Sequence, residues 1–64
     1  MRKYTNSEIR YLVDENIHNE RDRALLKRRF CDGVKHEKLA EEFDLSTQRV
    51  KTIVARAKSS LFVD

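Results

Sequence analysis

The sequence predicts an all-α fold, a small four-helix domain, on three observations. Apolar residues recur at spacings of three and four in four separate stretches. One Gly and no Pro occur in 64 residues, too little punctuation for a set of strands joined by tight turns. Charged and apolar residues each make up 39% of the chain, a balance suited to short amphipathic helices around a thin shared core. A chain this short buries only about 60% of the surface it exposes when unfolded. One core, and so one domain over residues 1–64, is the expectation.

The first helix is expected over about 5–18. Thr5-Asn6-Ser7-Glu8 has the form of a capping box, and Ile9, Leu12, Val13 and Ile17 follow as a stripe until Asn16, His18 and Asn19 weaken it. Asn19 then caps a second helix over 20–31. Glu20 and Asp22 stand in its first turn and Lys27, Arg28 and Arg29 near its end, the charge order that complements a helix dipole. Its apolar face is Ala24, Leu25, Leu26 and Phe30, and Asp32-Gly33 closes it, Gly33 being free to enter the left-handed region.

A third, shorter helix over 36–43 carries Leu39, Ala40 and Phe43 inside and Glu37, Lys38, Glu41 and Glu42 outside. Asp44-Leu45-Ser46 breaks it, and Ser46 is a suitable N-cap for a fourth helix over 47–62. There Val50, Ile53, Val54, Ala57 and Leu61 line one side, while Gln48, Arg49, Lys51, Thr52, Arg56 and Lys58 occupy the rest.

Charge is distributed unevenly. The net charge of +3 resolves into a neutral first segment (1–19), a basic second (20–32), an acidic third (33–45) and a basic fourth (46–64). The single Cys31 excludes an internal disulfide, and with no second Cys or paired His there is no zinc set. No nucleophile paired with a base and no phosphate-cradling loop is present. The sequence therefore predicts no enzyme, no cofactor and no metal site. No stretch approaches the roughly 18 apolar residues of a membrane span, and the N-terminus lacks a signal-peptide run. A soluble, cytoplasmic protein is expected.

A short helix, a turn of about three residues and a longer helix with a cationic outer face is the plan of a helix-turn-helix. Its core spans 36–56: small Ala40 where the two helices come closest, Leu45 plugging the turn, Val50 and Ile53 anchoring the second helix on the first. The start of the last helix is thereby freed to enter a major groove about as wide as a helix.

The stretch from Glu20 to Leu61 resembles region four of bacterial primary sigma factors, and also LuxR-type output domains. The resemblance rests on Arg23-Ala24-Leu25-Leu26-Lys27-Arg28-Arg29-Phe30, Asp32-Gly33, Lys38-Leu39-Ala40-Glu41-Glu42-Phe43-Asp44-Leu45-Ser46, Gln48-Arg49-Val50-Lys51-Thr52-Ile53 and Ala55-Arg56-Ala57. It implies a domain that reads double-stranded DNA with the start of its last helix and also touches RNA polymerase. It places groove-facing roles on Thr47, Gln48, Arg49 and Thr52. Three positions depart from the family pattern: Asp44 stands where Gly is usual, Gln48 where a base-reading Glu is usual, and Thr47 where Arg is usual. The family's −35 promoter target is therefore not carried over. With no counterpart of the promoter-opening region two, the chain is expected to be a reading head rather than a complete sigma factor, an economy of size that suits a phage or other mobile element.

Side-chain chemistry agrees. Gln48 suits bidentate pairing with adenine, Arg49 suits guanine or phosphate, and Thr47 and Thr52 suit a phosphate or a thymine methyl. Ser46, Lys51, Arg56, Lys58 and His36 are the expected phosphate contacts, with Arg28 and Arg29 close enough to contribute or else serving the helix dipole. The terminal Leu61-Phe62-Val63 either folds back to finish the core or forms an apolar patch for a partner or for a second copy in a homodimer. A protein-docking module on RNA polymerase or a sigma factor is the rival to DNA reading.

Overall fold

The computed structural model describes residues 4–62, in which four helices follow in order: α1 (Asn6–Asn16), α2 (Glu20–Cys31), α3 (His36–Glu42) and α4 (Thr47–Leu61). No strand occurs among the described residues. Each of the three longer helices starts where a side chain caps it. Thr5 accepts from the Glu8 amide at 3.2 Å while the Glu8 carboxylate accepts from the Thr5 amide at 3.0 Å, completing the capping box. Asn19 accepts from the Asp22 amide at 3.1 Å, and Ser46 from the Arg49 amide at 3.1 Å. Such a cap contributes about 1 kcal/mol. At α3 the N-cap position is held by Lys35, which makes no such bond.

Two helix ends fall one residue short of expectation, at Glu42 and Leu61, and α1 stops at Asn16 rather than residue 18. The reason for the larger difference lies in α2. Arg23 reaches back to donate to the Ile17 carbonyl, and to the Asp14 carbonyl at 3.1 Å, while the Asn16 amide group donates to the Leu12 carbonyl at 2.8 Å. The last acceptors of α1 are thus satisfied by side chains rather than by a further turn, and Ile17 swings into extended backbone.

α2 and α4 each touch the other three helices, whereas α1 and α3 do not meet. The core runs through Ile9 and Val13 of α1, Leu25 and Leu26 of α2, Leu39 and Ala40 of α3, and Val50, Ile53, Val54, Ala57 and Leu61 of α4. Phe30 packs against this cluster, but Ala24, expected on the same face, is exposed; the buried stripe of α2 is narrower than its composition suggests. Phe62 folds back. Its ring lies 5.0 Å edge-on from Phe30 and 4.9 Å from Tyr4, fastening the end of the chain to its beginning and to α2. Leu61 and Phe62 therefore belong to the core, the first of the two alternatives for the terminal triad; Val63 lies outside the described residues.

The helices are also tied by charge. Lys27 pairs with Asp14 at 2.8 Å across α1 and α2. Arg28 grips both carboxylate oxygens of Glu42 on α3, one through Nε at 3.2 Å and the other through Nη2, and meets Asp32 at 3.3 Å. Gly33 follows with φ of 70°, and Arg29 then donates to the Val34 carbonyl at 3.0 Å.

Lys27 holds Asp14, and Arg28 holds Glu42, below their ordinary carboxylate values of 3.8 and 4.5. A carboxylate whose value is lowered on folding contributes stability above its unfolded value and loses it as pH falls through the folded one. Melting temperature should therefore fall progressively once pH drops below about 5. In the Glu42→Gln variant this acid limb should be shallower, as read from thermal melts by circular dichroism between pH 2 and 7.

Candidate nucleic-acid interface

The geometry of the last helix is set by the three residues before it. Phe43 donates its amide to the Leu39 carbonyl at 3.0 Å, and Leu45 donates to the Ala40 carbonyl at 2.9 Å. The second bond, across five residues, closes a Schellman-type end with Asp44 in the left-handed position, φ 54°. Asp is among the few residues with a side chain that tolerates this region, which is why the turn forms without the usual glycine. Leu45 then packs its half-buried side chain against the core, and Ser46 returns to extended backbone and caps α4.

Five buried residues, Val50, Ile53, Val54, Ala57 and Leu61, fix how α4 is rotated. With 3.6 residues per turn, the line farthest from them is Gln48, Thr52, Ala55 and Ser59, all exposed except half-buried Thr52. Small side chains occupy three of these four places. Arg49 and Arg56 stand one turn-pair apart along one flank, and Lys51 and Lys58 along the other, all four exposed. The arginine flank opens on a shallow cleft shared with Asp22 and Ile17. The lysine flank faces α3, where both lysines act electrostatically on His36.

The cations of α2 and α4 differ in what they do. On α2, Arg21 pairs with Asp22, Lys27 with Asp14 and Arg28 with Glu42 and Asp32, while Arg23 and Arg29 are taken up by backbone carbonyls. Arg49, Lys51, Arg56 and Lys58 make no ion pair with any described residue. Arg28, considered at the sequence level as a contributor to an anionic surface, is therefore committed to Glu42, and its guanidinium is held even more firmly protonated by that carboxylate. His36 is half-buried, and its proton affinity is lowered by burial first and then by Arg29, Lys51 and Lys58, with Glu37 opposing.

The residues expected to face a groove do not all occupy the same part of α4. Gln48 and Thr52 lie on its outermost line and Arg49 on the arginine flank, while Thr47 is half-buried toward the lysine side. Thr52 donates its hydroxyl to the Gln48 carbonyl at 3.0 Å, which leaves its oxygen able to accept. Of the residues expected at phosphates, Ser46, Lys51, Arg56 and Lys58 are exposed and His36 half-buried. Ala55 and Ser59 escaped the sequence reading because neither bears a strong functional group, although the recurrence 48, 52, 55, 59 would have placed them.

A short helix, a Schellman turn and a longer helix whose outer face is cationic and unpaired define a helix-turn-helix domain of the DNA-binding type. The chain belongs to the sigma-70 region 4 family, which matches residues 19–62. No curated protein and no solved structure matches it.

The turn itself is testable. Replacing Asp44 with Gly relieves the left-handed backbone and removes a negative charge from the C-terminal end of α3, where it opposes the helix dipole. Asp44→Gly should stabilise the domain by up to about 1 kcal/mol, a rise of about 4–8 °C in melting temperature per kcal/mol for a domain of this size. Asp44→Ala, which has no such freedom, should melt below the wild type.

Proposed function

We propose that this protein is a sequence-specific, double-stranded DNA-binding transcriptional regulator that lays α4 in the major groove. The observation that carries this reading is the set of four unpaired cations, Arg49, Lys51, Arg56 and Lys58, in two rows on either side of the Gln48-Thr52-Ala55-Ser59 line. A helix in the major groove has a phosphate backbone on each side of it. Cations on both flanks meet those backbones, and small side chains between them let the helix approach the base edges. Phosphate contacts then supply register and most of the salt-dependent affinity, while the outer line reads sequence.

In this reading Gln48 addresses a base edge with a donor and an acceptor, the pattern that adenine complements. Thr52 offers its methyl to a thymine methyl or its remaining lone pair to a base amino group. Arg49 reaches a guanine or a phosphate, Thr47 supports the entry of the helix on the lysine side, and Ser46 keeps its hydroxyl proton for a phosphate oxygen while its lone pair serves the cap. Residues 1–64 act as one reading unit. A second copy across a two-fold axis would double the site read.

Docking on RNA polymerase is the family's second property. Of the features that favoured it from sequence, Glu42 is taken up by Arg28, and Leu61 and Phe62 by the core, while Glu37 and Glu41 stay exposed. DNA reading is therefore the better supported of the two.

Selection of bound duplexes from a random pool tests the reading directly. The wild type should enrich a defined motif, and its symmetry reports one copy or two. The Gln48→Ala, Arg49→Ala double variant should lose about 1 to 3 kcal/mol per missing base contact and relax the motif. An unaltered motif from that variant would remove α4 from the reading role. Separately, Lys51→Ala should weaken binding evenly across sequences and lower the salt slope, log K against log salt, by about 1.

A further inference from the structure

His36 is placed unlike any other expected contact. Half-buried at the start of α3, it is faced by Arg29 from α2 and by Lys51 and Lys58 from α4, with Glu37 of its own helix the one carboxylate acting on it. α1 does not reach α3. The Arg29 guanidinium is held on this side of the molecule by its bond to the Val34 carbonyl, two residues before His36, and Lys51 and Lys58 occupy one flank of α4, seven residues apart. Three helices thus bring three cations and an imidazole to one surface, with neither lysine paired to a carboxylate.

We propose that Arg29, His36, Lys51 and Lys58 form a single phosphate-binding site on the α3 side of α4, and that His36 takes up a proton when a DNA phosphodiester occupies it. The inference rests on the DNA-binding reading and adds to it both Arg29 and a dependence on protons.

The physical argument is one of charge balance. In the free protein, burial and three neighbouring cations hold the imidazole's affinity for protons below the ordinary value of 6.5. A neutral imidazole whose ring nitrogens are a donor and an acceptor is an indifferent partner for a phosphate, whereas the protonated ring is donor-only. When a phosphodiester arrives, its charge offsets Arg29, Lys51 and Lys58 at once, and the repulsion that opposed protonation becomes attraction. Binding then draws a proton from solution and no covalent bond changes. The sign follows from linkage. A group with a proton affinity raised in the complex makes the complex tighter as pH falls, by about tenfold for each unit of difference between free and bound states.

The test uses the full chain and a 20-base-pair duplex of mixed sequence at low salt, since a phosphate site requires no particular operator. Dissociation constants are measured by fluorescence anisotropy at pH 5.5, 6.5 and 7.5 for the wild type, for His36→Gln and for Arg29→Gln. His36→Gln keeps hydrogen-bonding capacity without a charge to gain. The wild type should bind roughly three- to tenfold more tightly at pH 5.5 than at 7.5, and His36→Gln should abolish most of that difference. Arg29→Gln should weaken binding at every pH. NMR titration of the imidazole should show a higher His36 midpoint with duplex than without, a readout that any unfolding of a variant would not supply.

If the wild type binds with no pH dependence, or if His36→Gln keeps the full dependence, the proton-coupled site is overturned and DNA binding stands. If no duplex binds at any pH, both this inference and the DNA-binding reading fail together.

Discussion

The rotation of α4 about its own axis is the constraint on which everything else depends. A 64-residue chain has so little interior that its longest helix must serve as core and working surface together. The choice between the two faces is made by Val50, Ile53, Val54, Ala57 and Leu61, which bury their side chains against α1, α2 and α3. Side chains of this kind gain about 1.5–3 kcal/mol each from full burial, alanine much less. Turning α4 by one residue would expose several of them, so the penalty for misplacing the outer line is a large fraction of the stability of any small domain. The outer face of α4 is held in place by hydrophobic burial on the far side of the same helix.

That coupling explains the division of labour among the charges. The α2 segment (20–32) and the α4 segment (46–64) are both basic in sequence, and by composition either could face an anion. In the folded chain α2, like α4, touches all three other helices, but its cations are taken up by the carboxylates of Asp14, Asp22, Asp32 and Glu42 and by the carbonyls of Asp14, Ile17 and Val34. They serve as cross-links. The cations of α4 form no ion pair with any described residue and keep their charge for solvent or a partner. Exposed ion pairs of the α2 type add little stability individually, but Arg23 at the end of α1 and Arg28 across to α3 fix where those helices stop and how they sit. Net charge would have treated the two segments alike.

Local chemistry was legible in the sequence, and contacts between distant segments were not. The starts of α1, α2 and α4 follow from Thr5, Asn19 and Ser46, because a cap bonds within three residues of itself. The end of α1 did not follow, because it is set by Arg23, beyond the intervening loop, and the exposure of Ala24 depends on which neighbours α2 meets. The same distinction holds at the interface. Periodicity gives the face of α4 and so Gln48, Arg49 and Thr52, but the hydroxyl bond that reorients Thr52, the Arg28 to Glu42 pair spanning fourteen residues, and the cations around His36 belong to the assembled fold. Arg28 and Arg29 are equivalent in sequence; the partners of each guanidinium, Glu42 for one and the Val34 carbonyl for the other, separate them.

The departures from the family pattern acquire a physical meaning from this arrangement. A glutamate at position 48 would be acceptor-only and would suit a base amino group such as that of cytosine, at the cost of a negative charge between two phosphate backbones. Gln48 has the same reach, offers a donor beside an acceptor, and carries no charge. Thr47 in place of an arginine removes a cation at the start of the helix on the side already supplied by Lys51 and Lys58. If α4 reads bases as proposed, both changes would alter which bases it is suited to read while leaving Arg49, Lys51, Arg56 and Lys58 in place. Under the proposed function, this chain would retain the family's way of lying on DNA and differ in the sequence it selects, because docking is carried by the flanks of α4 and selection by the narrow line between them.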